Sequence, residues 1–231
     1  MKSFPLPSLL FALSSALLSA ADPHESDFYK LTTFTTPAET AMEVGAIELL
    51  PDNKLALGTR RGEIWIVSNA HQADPAKAEY KLFASGLHEV LGLGYRDGWL
   101  YATIRYEIVR IKDADGDGRA DIFENVNDGW GVSGDYHEYA LGSTFDKHGD
   151  LWVTLCLTGS FSSKVPFRGW ALRVKPDGTL VPTASGIRSP GGVGFDADGE
   201  AYYVDNQGPW HGSCTLQHLV PGSFQGHPAG N

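Results

Sequence analysis

SGIRSPGGVGFDADGEAYYVDNQGPW (residues 185–210) contains a strand–turn–strand unit that recurs along the chain. Its predicted strands, 192–195 and 200–204, flank an Asp-Gly pair, which is a hairpin signal because glycine tolerates the positive φ of such turns. Arg188 precedes the first strand, and a polar cluster, residues 205–209, follows the second. Both polar groups therefore lie at the strand ends away from the turn, where loops carry chemistry on a rigid sheet.

The unit occurs four times. Its opening glycines stand at positions 45, 92, 142 and 192, separated by 47, 50 and 50 residues. A short apolar run, a turn and a second apolar strand follow each glycine, and a third strand follows in three of the units. A period of this length, made of short strands with almost no helical periodicity, is typical of propeller blades. The sequence therefore predicts an all-β protein, a β-propeller with about four blades present.

Propellers usually close with more than four blades, although four-bladed examples exist. After the fourth unit only about two more strands fit before residue 231. We therefore expect the chain to be the front part of a longer propeller.

Three segments are predicted. Residues 1–21 carry Lys2, an apolar run and a small-residue site at 19–21, the pattern of a secretory signal peptide. A membrane anchor is the weaker alternative because the apolar run is short and interrupted by serines. Residues 22–40 form a lead-in segment, and residues 41–231 form the partial propeller. The mature protein is expected to be exported to the periplasm or the extracellular space and not to span a membrane.

The net charge of −10 argues against nucleic-acid binding, which favours basic surfaces. The two cysteines, Cys156 and Cys214, are able to pair in an oxidising compartment. Two buried free thiols are equally compatible with the sequence.

Residues 113–124, DADGDGRADIFE, match the template of a calcium-binding loop. Gly118 allows the sharp turn, and the carbonyl of Arg119 adds a ligand. Carboxylates fill loop positions 1, 3, 5, 9 and 12: Asp113, Asp115, Asp117, Asp121 and Glu124. A solvated acidic turn is the alternative. No helical periodicity flanks the loop, so the motif predicts structural Ca2+ and not an EF-hand switch.

His88, His137 and Arg188 each precede the opening glycine of a blade. Equivalent positions in a propeller fall at the same end of the central axis, so these side chains are expected to converge on one pocket. Histidine takes up a proton near neutral pH, and arginine binds carboxylates through a two-point fork. Asp135, two residues before His137, is placed to orient it.

The chain resembles the soluble glucose/sorbosone dehydrogenase family, and more closely that family's relatives among large exported bacterial proteins described as membrane-bound or haem-containing dehydrogenases. The resemblance covers essentially the whole mature chain. It rests on segments 51–55, 62–65, 136–139, 187–192, 205–209 and 219–228. Membership implies a six-bladed propeller that binds pyrroloquinoline quinone (PQQ) with Ca2+ and oxidises a sugar or polyol hydroxyl. The electron acceptor it implies is a protein such as a cytochrome c.

By this resemblance, His137 matches the general base and Arg188 matches an arginine that holds the cofactor. Ser189 stands where the family has asparagine. Ser189 and Gln207 are both predicted to contact the cofactor. Gly208 and Pro209 match a segment whose carbonyls bind the cofactor's calcium, and His88 lies near a pocket-lining position. The family's cofactor-binding Lys and Arg residues of later blades have no counterpart, so this chain is expected to be inactive alone.

Two other functions remain open. A calcium-dependent lactonase-like hydrolase would use its metal to polarise a carbonyl, with Asp205 or Asn206 facing the axis. A non-catalytic carbohydrate-binding propeller would present Trp130, Tyr136 and Trp210 to sugar faces.

Overall fold

The computed structural model describes residues 23–38, 40–159, 162, 164–208 and 211–230. The chain divides into two compact units, Met1–Thr33 and Phe34–Asn231. In the first unit, the described residues contain a 3-10 turn at Glu25–Asp27. The predicted signal peptide, residues 1–21, lies outside the described residues. Within the described part of the chain, no helix has the length and apolar character needed to cross a membrane.

The second unit consists of four antiparallel sheets, each built from strands that are consecutive in sequence. Blade one contains β1 (Val44–Leu49), β2 (Leu55–Thr59), β3 (Ile64–Ser68) and β4 (Glu79–Ala84). Blade two contains β5 (Gly92–Arg96), β6 (Trp99–Thr103), β7 (Ile108–Lys112) and β8 (Ile122–Asn127). Blade three contains β9 (Ala140–Phe145), β10 (Leu151–Leu155), β11 (Trp170–Val174) and β12 (Leu180–Ser185). Blade four contains β13 (Pro190–Phe195), β14 (Ala201–Asp205) and β15 (Thr215–His218).

The first strands of the blades face one another in sequence order. β1 contacts β5, β5 contacts β9, and β9 contacts β13, so these strands lie innermost, around a common axis. This arrangement confirms the predicted all-β propeller with four blades.

Apolar side chains fill the space between successive blades. Ile64 of blade one packs with Leu93 and Leu100 of blade two in the first interface cluster. Equivalent clusters join blade two to blade three and blade three to blade four, the latter around Trp152 and Tyr203. Burial of these side chains is the main stabilising contribution that holds the blades side by side.

Two glycines of β5 show how closely the innermost strands approach. A Cβ atom on Gly92 would lie 1.7 Å from the carbonyl oxygen of Gly142, and one on Gly94 would lie 2.3 Å from that of Ser143. Both distances are far below any allowed contact, so the backbone of blade three occupies the space that a side chain would need. The opening glycine of this unit is therefore a packing requirement of the blade interface.

The alternating strand direction places the loops at two ends. We call the end at which the first strands begin the upper end, and the end that carries the β1–β2 type of turn the lower end. Residues that precede a first strand, such as His137, or follow a second strand, such as Gln207, lie at the upper end. The β7–β8 connection, residues 113–121, lies at the lower end.

The segment after β15 returns to blade three. Ser185 forms a parallel bridge with Phe224, and a 3-10 turn at Pro228–Gly230 follows. Because of this bridge, the described part of the segment after β15 packs along the outer edge of blade three.

A further 3-10 turn, Pro75–Lys77, lies between β3 and β4 of blade one.

Candidate functional site

A small cavity lies at the upper end between blades three and four. Its volume is about 20 Å3, enough for a water molecule. The lining residues are His137, Cys156, Leu157, Gly159, Arg188 and Ser189. The structure thus brings together His137, Arg188 and Ser189 at one cavity.

The backbone of Arg188 is held in place by the side chain of Asp205. The buried carboxylate of Asp205 accepts hydrogen bonds from the backbone N–H groups of Arg188 (3.0 Å), Ser189 (2.8 Å) and Asn206 (2.9 Å). One side chain at the end of β14 therefore joins the loop before β13 to the loop after β14.

The Arg188 side chain lies across the loop that follows β14. Its Nη1 donates to the carbonyl oxygen of Gln207 at 2.9 Å. A Cβ atom on Gly208 would lie 2.6 Å from Nε, so a larger residue there would displace the guanidinium. Nε is buried and has no hydrogen-bond partner among the described residues. A buried donor left in this state is expected to bind a ligand or an ordered water.

His137 lies on the loop before β9, and its side chain is half exposed. The Asp135 carboxylate accepts a hydrogen bond from the backbone N–H of His137 at 3.0 Å and lies 3.3 Å from Nδ1 of the ring. The backbone bond, with the ring contact beside it, lowers the pKa of Asp135. The Tyr136 ring packs on the imidazole with 4.0 Å between centroids. Asp135 therefore lies where it can orient the ring.

The neighbouring residue, Glu138, anchors this loop. Its buried carboxylate accepts hydrogen bonds from the Ser133 N–H (2.6 Å), the Ser133 hydroxyl (2.9 Å) and the Thr158 hydroxyl (2.9 Å). Burial raises the pKa of Glu138, but these hydrogen bonds outweigh burial and the net shift is downward. The carboxylate therefore stays ionised and ties the histidine loop to the segment after β10.

Arg168 supports the same loop from below. Its buried guanidinium donates to the carbonyl oxygens of Gly131 (2.9 Å), Tyr139 (2.9 Å) and Arg105 (3.2 Å). Burial lowers the pKa of Arg168 to about 10, so the group is still charged at neutral pH. Sequence reasoning missed this residue, although a charge placed directly before an apolar strand was the available signal.

Charged residues of blades one and two continue the upper surface beside His137. Glu89 accepts hydrogen bonds from Arg105 (2.9 Å) and Arg60 (3.2 Å). Both guanidinium groups lie over the Tyr139 ring, at 5.4 and 5.8 Å from its centroid. Arg105 also donates to the carbonyl of Asp135. This cluster therefore couples blades one, two and three at the upper end.

His88 lies at the upper end but outside the cavity. Its exposed ring stacks on Tyr106 with 6.1 Å between centroids, and its carbonyl accepts a hydrogen bond from the Arg105 N–H. Glu89, the next residue, has a φ of 53°. The structure therefore brings His137 and Arg188 together and places His88 beside them on blade two.

Both cysteines are free thiols. Cys156 is buried, 4.0 Å from the Ser189 hydroxyl, and burial raises its pKa to about 11. Cys214 is exposed and donates to the Gln207 side-chain oxygen at 2.6 Å. Gln207 thus contacts Arg188 through its backbone and Cys214 through its side chain.

Gly208 forms a short bridge with His211, in which each N–H donates to the other's carbonyl at 3.1 Å. The Gly208 carbonyl, assigned to calcium by the resemblance, therefore already accepts one hydrogen bond. Pro209, the other residue assigned to that ion, and Trp210 lie outside the described residues.

The predicted calcium loop lies at the lower end of blade two, opposite the cavity. One carboxylate oxygen from each of Asp113, Asp115 and Asp117 lies within 4.8 Å of the others. Asp121 accepts hydrogen bonds from the N–H groups of Ala114 and Asp115 inside the loop. Gly118 has a φ of 82°, as the predicted turn requires, and the N–H of Arg119 donates to Asp117 at 2.7 Å.

Glu124, the twelfth residue of the loop, has a different partner. It lies on β8 and accepts two hydrogen bonds from Arg110 of β7, at 2.7 and 2.5 Å. In this structure the cluster of converging carboxylates therefore consists of the three aspartates at its start.

Comparison with solved structures finds the same fold in proteins described as sugar dehydrogenases. A putative oxidoreductase (glucose dehydrogenase) from Thermus thermophilus superposes with a TM-score of 0.63 at 21% identity, over 81% of this chain and 65% of that one. The PQQ-bound aldose sugar dehydrogenase from Streptomyces coelicolor gives a TM-score of 0.62 at 17% identity, over 83% of this chain and 64% of that one. The chain thus spans just under two thirds of the length of either protein. At these identities the likeness establishes the propeller fold alone.

A putative gluconolactonase also superposes, with a TM-score of 0.54 at 18% identity, over 77% of this chain and 63% of that one. No curated protein matches the chain in sequence. A family model, described as a domain of unknown function (DUF7133), matches residues 52–225. That match covers most of the four blades, from the β1–β2 turn to the segment after β15, and the chain belongs to the DUF7133 family.

Proposed function

We propose that this propeller takes part in the oxidation of a sugar or polyol hydroxyl with PQQ as the acceptor. One observation supports the proposal above all. His137 and Arg188 line one cavity at the upper end, and the Nε of Arg188 is a buried donor without a partner among the described residues. A base beside an anion-binding donor is the pair of groups that such a reaction requires.

The donor set suits the anionic edge of this cofactor. PQQ carries carboxylates, and the Arg188 guanidinium is the cation at this cavity that would bind one of them. Ser189 adds a hydroxyl beside it, and His88 and Gln207 lie farther out on the same end. The cavity itself has room for a water molecule, so the cofactor would contact its lining from outside. When bound, PQQ supplies the acceptor for a hydride.

The histidine supplies the proton chemistry. With Nδ1 directed at Asp135, a neutral imidazole carries its proton on Nδ1 and its lone pair on Nε2. Nε2 then accepts the proton of the substrate hydroxyl, and Asp135 stabilises the imidazolium that forms. Glu138 and Arg168 hold the histidine loop in place through their hydrogen bonds to its backbone. Neither residue lines the cavity, so their role in this transfer is positional.

The complete enzyme is proposed to contain more blades than this chain, with the cofactor's calcium bound by the carbonyls of Gly208 and Pro209. We further propose that the protein is exported after removal of residues 1–21 and passes electrons to an acceptor such as cytochrome c. On its own, the four-bladed chain is expected to be inactive.

The decisive test is a pair of histidine variants in the polypeptide that carries all the blades, loaded with PQQ and Ca2+. Dye reduction with aldoses is expected to fall about 10²- to 10⁴-fold in His137→Ala, because a positioned base is lost. His148→Ala, an exposed histidine in the β9–β10 turn at the lower end, is the matched control and should retain wild-type turnover. Full turnover in His137→Ala would remove the assignment of the base.

We propose a separate, structural Ca2+ in the loop of residues 113–121. The carboxylates of Asp113, Asp115 and Asp117 already converge, and a hard cation with oxygen ligands would neutralise them. Calorimetric titration should detect one Ca2+ per chain at submillimolar affinity, and Asp115→Asn should abolish it. Asp196→Asn, in the acidic β13–β14 turn of blade four, is the control. A titration that detects no Ca2+ binding tighter than millimolar would exclude this ion.

A lactonase is the second candidate, since a putative gluconolactonase shares the fold. The structure gives it less support because both carboxylate oxygens of Asp205 already accept backbone hydrogen bonds. Lactone hydrolysis without quinone would favour it. A purely sugar-binding propeller would rely on Tyr136, which is 66% exposed, because Trp130 is buried and Trp210 lies outside the described residues.

A further inference from the structure

Two of the interfaces between successive blades contain an aromatic pair near the lower end. Between blades two and three, Tyr101 of β6 packs edge-on against Phe145 of β9, with 5.0 Å between ring centroids. Between blades three and four, Trp152 of β10 packs edge-on against Phe195 of β13, with 5.8 Å between centroids. In both interfaces a second strand therefore presents an aromatic ring to the first strand of the next blade.

The interface between blades one and two lacks one ring of this pair. Tyr101 and Trp152 each pair with an arginine on the third strand of their blade. The corresponding position of β2 is Ala56, which pairs with Ile66 of β3. Tyr95 of β5 stands where the later blades have phenylalanine, and it has no aromatic partner among the described residues. An alanine thus takes the place of an aromatic side chain at this interface.

A cavity of about 410 Å3 lies at this interface. Its inner wall is apolar and comes from both blades: Ile66 and Phe83 of blade one, and Tyr95, Leu100 and Ile111 of blade two. Small-molecule sites have volumes of this size and a mostly apolar lining with a few polar groups. The missing aromatic ring therefore leaves a recess that a small ligand can enter.

The cavity opens at the lower end because the β5–β6 turn is short. Two residues connect these strands, whereas five connect β1 to β2, β9 to β10 and β13 to β14. A Cβ atom on Gly98, in this short turn, would meet nothing within 4 Å. In the cleft between blades two and three, which measures about 280 Å3, Arg96 reaches across and donates to the Gly149 carbonyl at 2.9 Å. The first interface is therefore the larger of the two.

Two lysines of blade one stand at the mouth of the cavity. Lys54 directly precedes β2, Lys81 lies on β4, and both line the cavity. Lys54 pairs with Asp52 at 2.5 Å, but the two side chains are 43% and 54% exposed, so the ion pair is weak. Lys81 donates to the carbonyl of Asp117 and has no ion-pair partner among the described residues. Both ammonium groups are therefore available to an anion.

The aspartates that form part of the same wall have partners in their own loop. Each oxygen of the Asp113 carboxylate accepts a backbone hydrogen bond, from Gly116 at 2.7 Å and from Gly118 at 2.8 Å. Asp117 accepts the N–H of Arg119 at 2.7 Å. These carboxylates are therefore bound within the loop, and the lysines are the charged groups that remain for a ligand.

We infer that this cavity binds a small aromatic carboxylate. The ring of the ligand takes the place of the missing aromatic side chain and packs edge-on against Tyr95, as Tyr101 packs against Phe145. Its carboxylate lies at the mouth and accepts hydrogen bonds from Lys54 and Lys81. The site is at the end of the propeller opposite His137, and the inference rests neither on the proposed redox chemistry nor on the proposed Ca2+.

A sugar is a less suitable occupant of this cavity. Its hydroxyl groups would face an inner wall of aliphatic and aromatic side chains, and hydroxyl groups buried without partners cost free energy. A cationic ligand would meet Lys54 and Lys81 at the mouth. The combination of an apolar recess with two cations at its mouth favours a flat ring that carries one negative charge.

Titration calorimetry with 2-naphthoate as the probe tests the class of ligand. EDTA is present throughout, so the result is separate from Ca2+ binding by the acidic loop. We expect a dissociation constant of about 0.1 mM or tighter, and binding at least about tenfold weaker for 2-naphthamide, which has the same shape without the charge. The inference is wrong if 2-naphthoate does not bind more tightly than about 5 mM, or if the acid and the amide bind equally.

Lysine variants test the position of the carboxylate. Lys54→Met and Lys81→Met should each weaken 2-naphthoate binding by about 3- to 10-fold and leave 2-naphthamide binding unchanged, because only the charge pairing is lost. Lys77→Met is the control, since Lys77 is exposed in the β3–β4 connection and does not line the cavity. Wild-type affinity for 2-naphthoate in both Lys54→Met and Lys81→Met would place the probe elsewhere and overturn the inference.

Substitutions of Ser68 test the position of the ring. Ser68 ends β3 and lines the cavity on the same face of the strand as Ile66. Ser68→Trp should fill the recess and weaken both probes at least about tenfold, whereas Ser68→Ala should bind them within about twofold of wild type. Thermal unfolding shows whether each variant folds, and the lysine variants remain decisive if Ser68→Trp does not. Undiminished 2-naphthoate binding in a folded Ser68→Trp protein would contradict the inferred site.

Discussion

Asp205 determines the position of Arg188 more directly than any other side chain described at the upper end. Its carboxylate is buried and accepts three backbone N–H donors from two loops. Only one backbone hydrogen bond, from the Asn206 N–H to the Ser189 carbonyl at 3.2 Å, joins the two loops directly, so the Asp205 side chain supplies most of the connection beyond the end of β14. This role cannot be read from the sequence, in which Asp205 is one of several polar residues after a strand.

We predict that Asp205→Asn lowers the free energy of unfolding by about 1–3 kcal/mol, because the amide leaves a buried donor without its acceptor. Urea denaturation measures the difference. Asp196→Asn is the matched control, since Asp196 is exposed and accepts the N–H groups of Asp198 and Glu200 in a turn. A loss at Asp205 no larger than that at Asp196 would contradict the proposed role.

Glu138 gives a prediction for pH dependence. Its folded-state pKa is below the usual value of 4.5, so the ionised carboxylate stabilises the fold above about pH 4.5 and this contribution is lost as the pH falls through the folded value. Glu138→Gln should therefore destabilise the protein at pH 7, and the difference from wild type should shrink below pH 4.5. Unfolding free energies at a series of pH values measure this. A difference that stays constant down to about pH 3 would exclude it.

At the scale of elements, the strands next to Asp-Gly or Asn turns were predictable and the outermost strands were not. Turn chemistry and apolar alternation indicate β13 and β14, and the same offsets indicate the first two strands of the other blades. β12 contains Pro182, which weakens any strand prediction, and β8 follows directly on an acidic loop. These strands form because an adjacent sheet edge is available, which is tertiary information.

The site was predictable to the same degree. Blade register places His88, His137 and Arg188 at one end, because strand alternation alone fixes the end. Register does not determine the course of each loop. Glu89 adopts a left-handed φ and pairs with two arginines, so His88 turns toward Tyr106. The cavity consequently holds the histidine of blade three and the arginine of blade four.

The β7–β8 loop yields a prediction about its calcium affinity. Lys81, on β4 of blade one, donates to the carbonyl of Asp117 and brings a positive charge to the acidic loop. Lys81→Met should therefore raise the affinity for Ca2+ by about 3- to 10-fold, through removal of the repulsion. Lys54→Met is the control, since Lys54 pairs with Asp52 at 2.5 Å. If calorimetry finds the same Ca2+ affinity for Lys81→Met and the wild-type protein, the ion does not bind beside Lys81.

At the scale of the whole molecule, the export proposal has a direct test. If residues 1–21 are a signal peptide, protein recovered from outside the cytoplasm should begin at Asp22, and mass spectrometry of its N-terminal peptide would reveal this. Leu13→Arg, which interrupts the apolar run, should leave the chain unprocessed. Lys30→Arg preserves the charge beyond the cleavage site and should be processed normally. Recovery of an intact N-terminus from the exported protein would contradict the prediction.

Because each sheet uses only strands that follow one another in the chain, no sheet has to wait for residues made later. The paired strands are separated by at most the 14 residues (156–169) between β10 and β11, so the entropic cost of closing each sheet is modest. A nascent polypeptide can therefore build this protein vectorially, one sheet at a time, with each finished sheet serving as the template for the next. Errors in assembly are then expected at the most recently made sheet, while earlier ones are already protected.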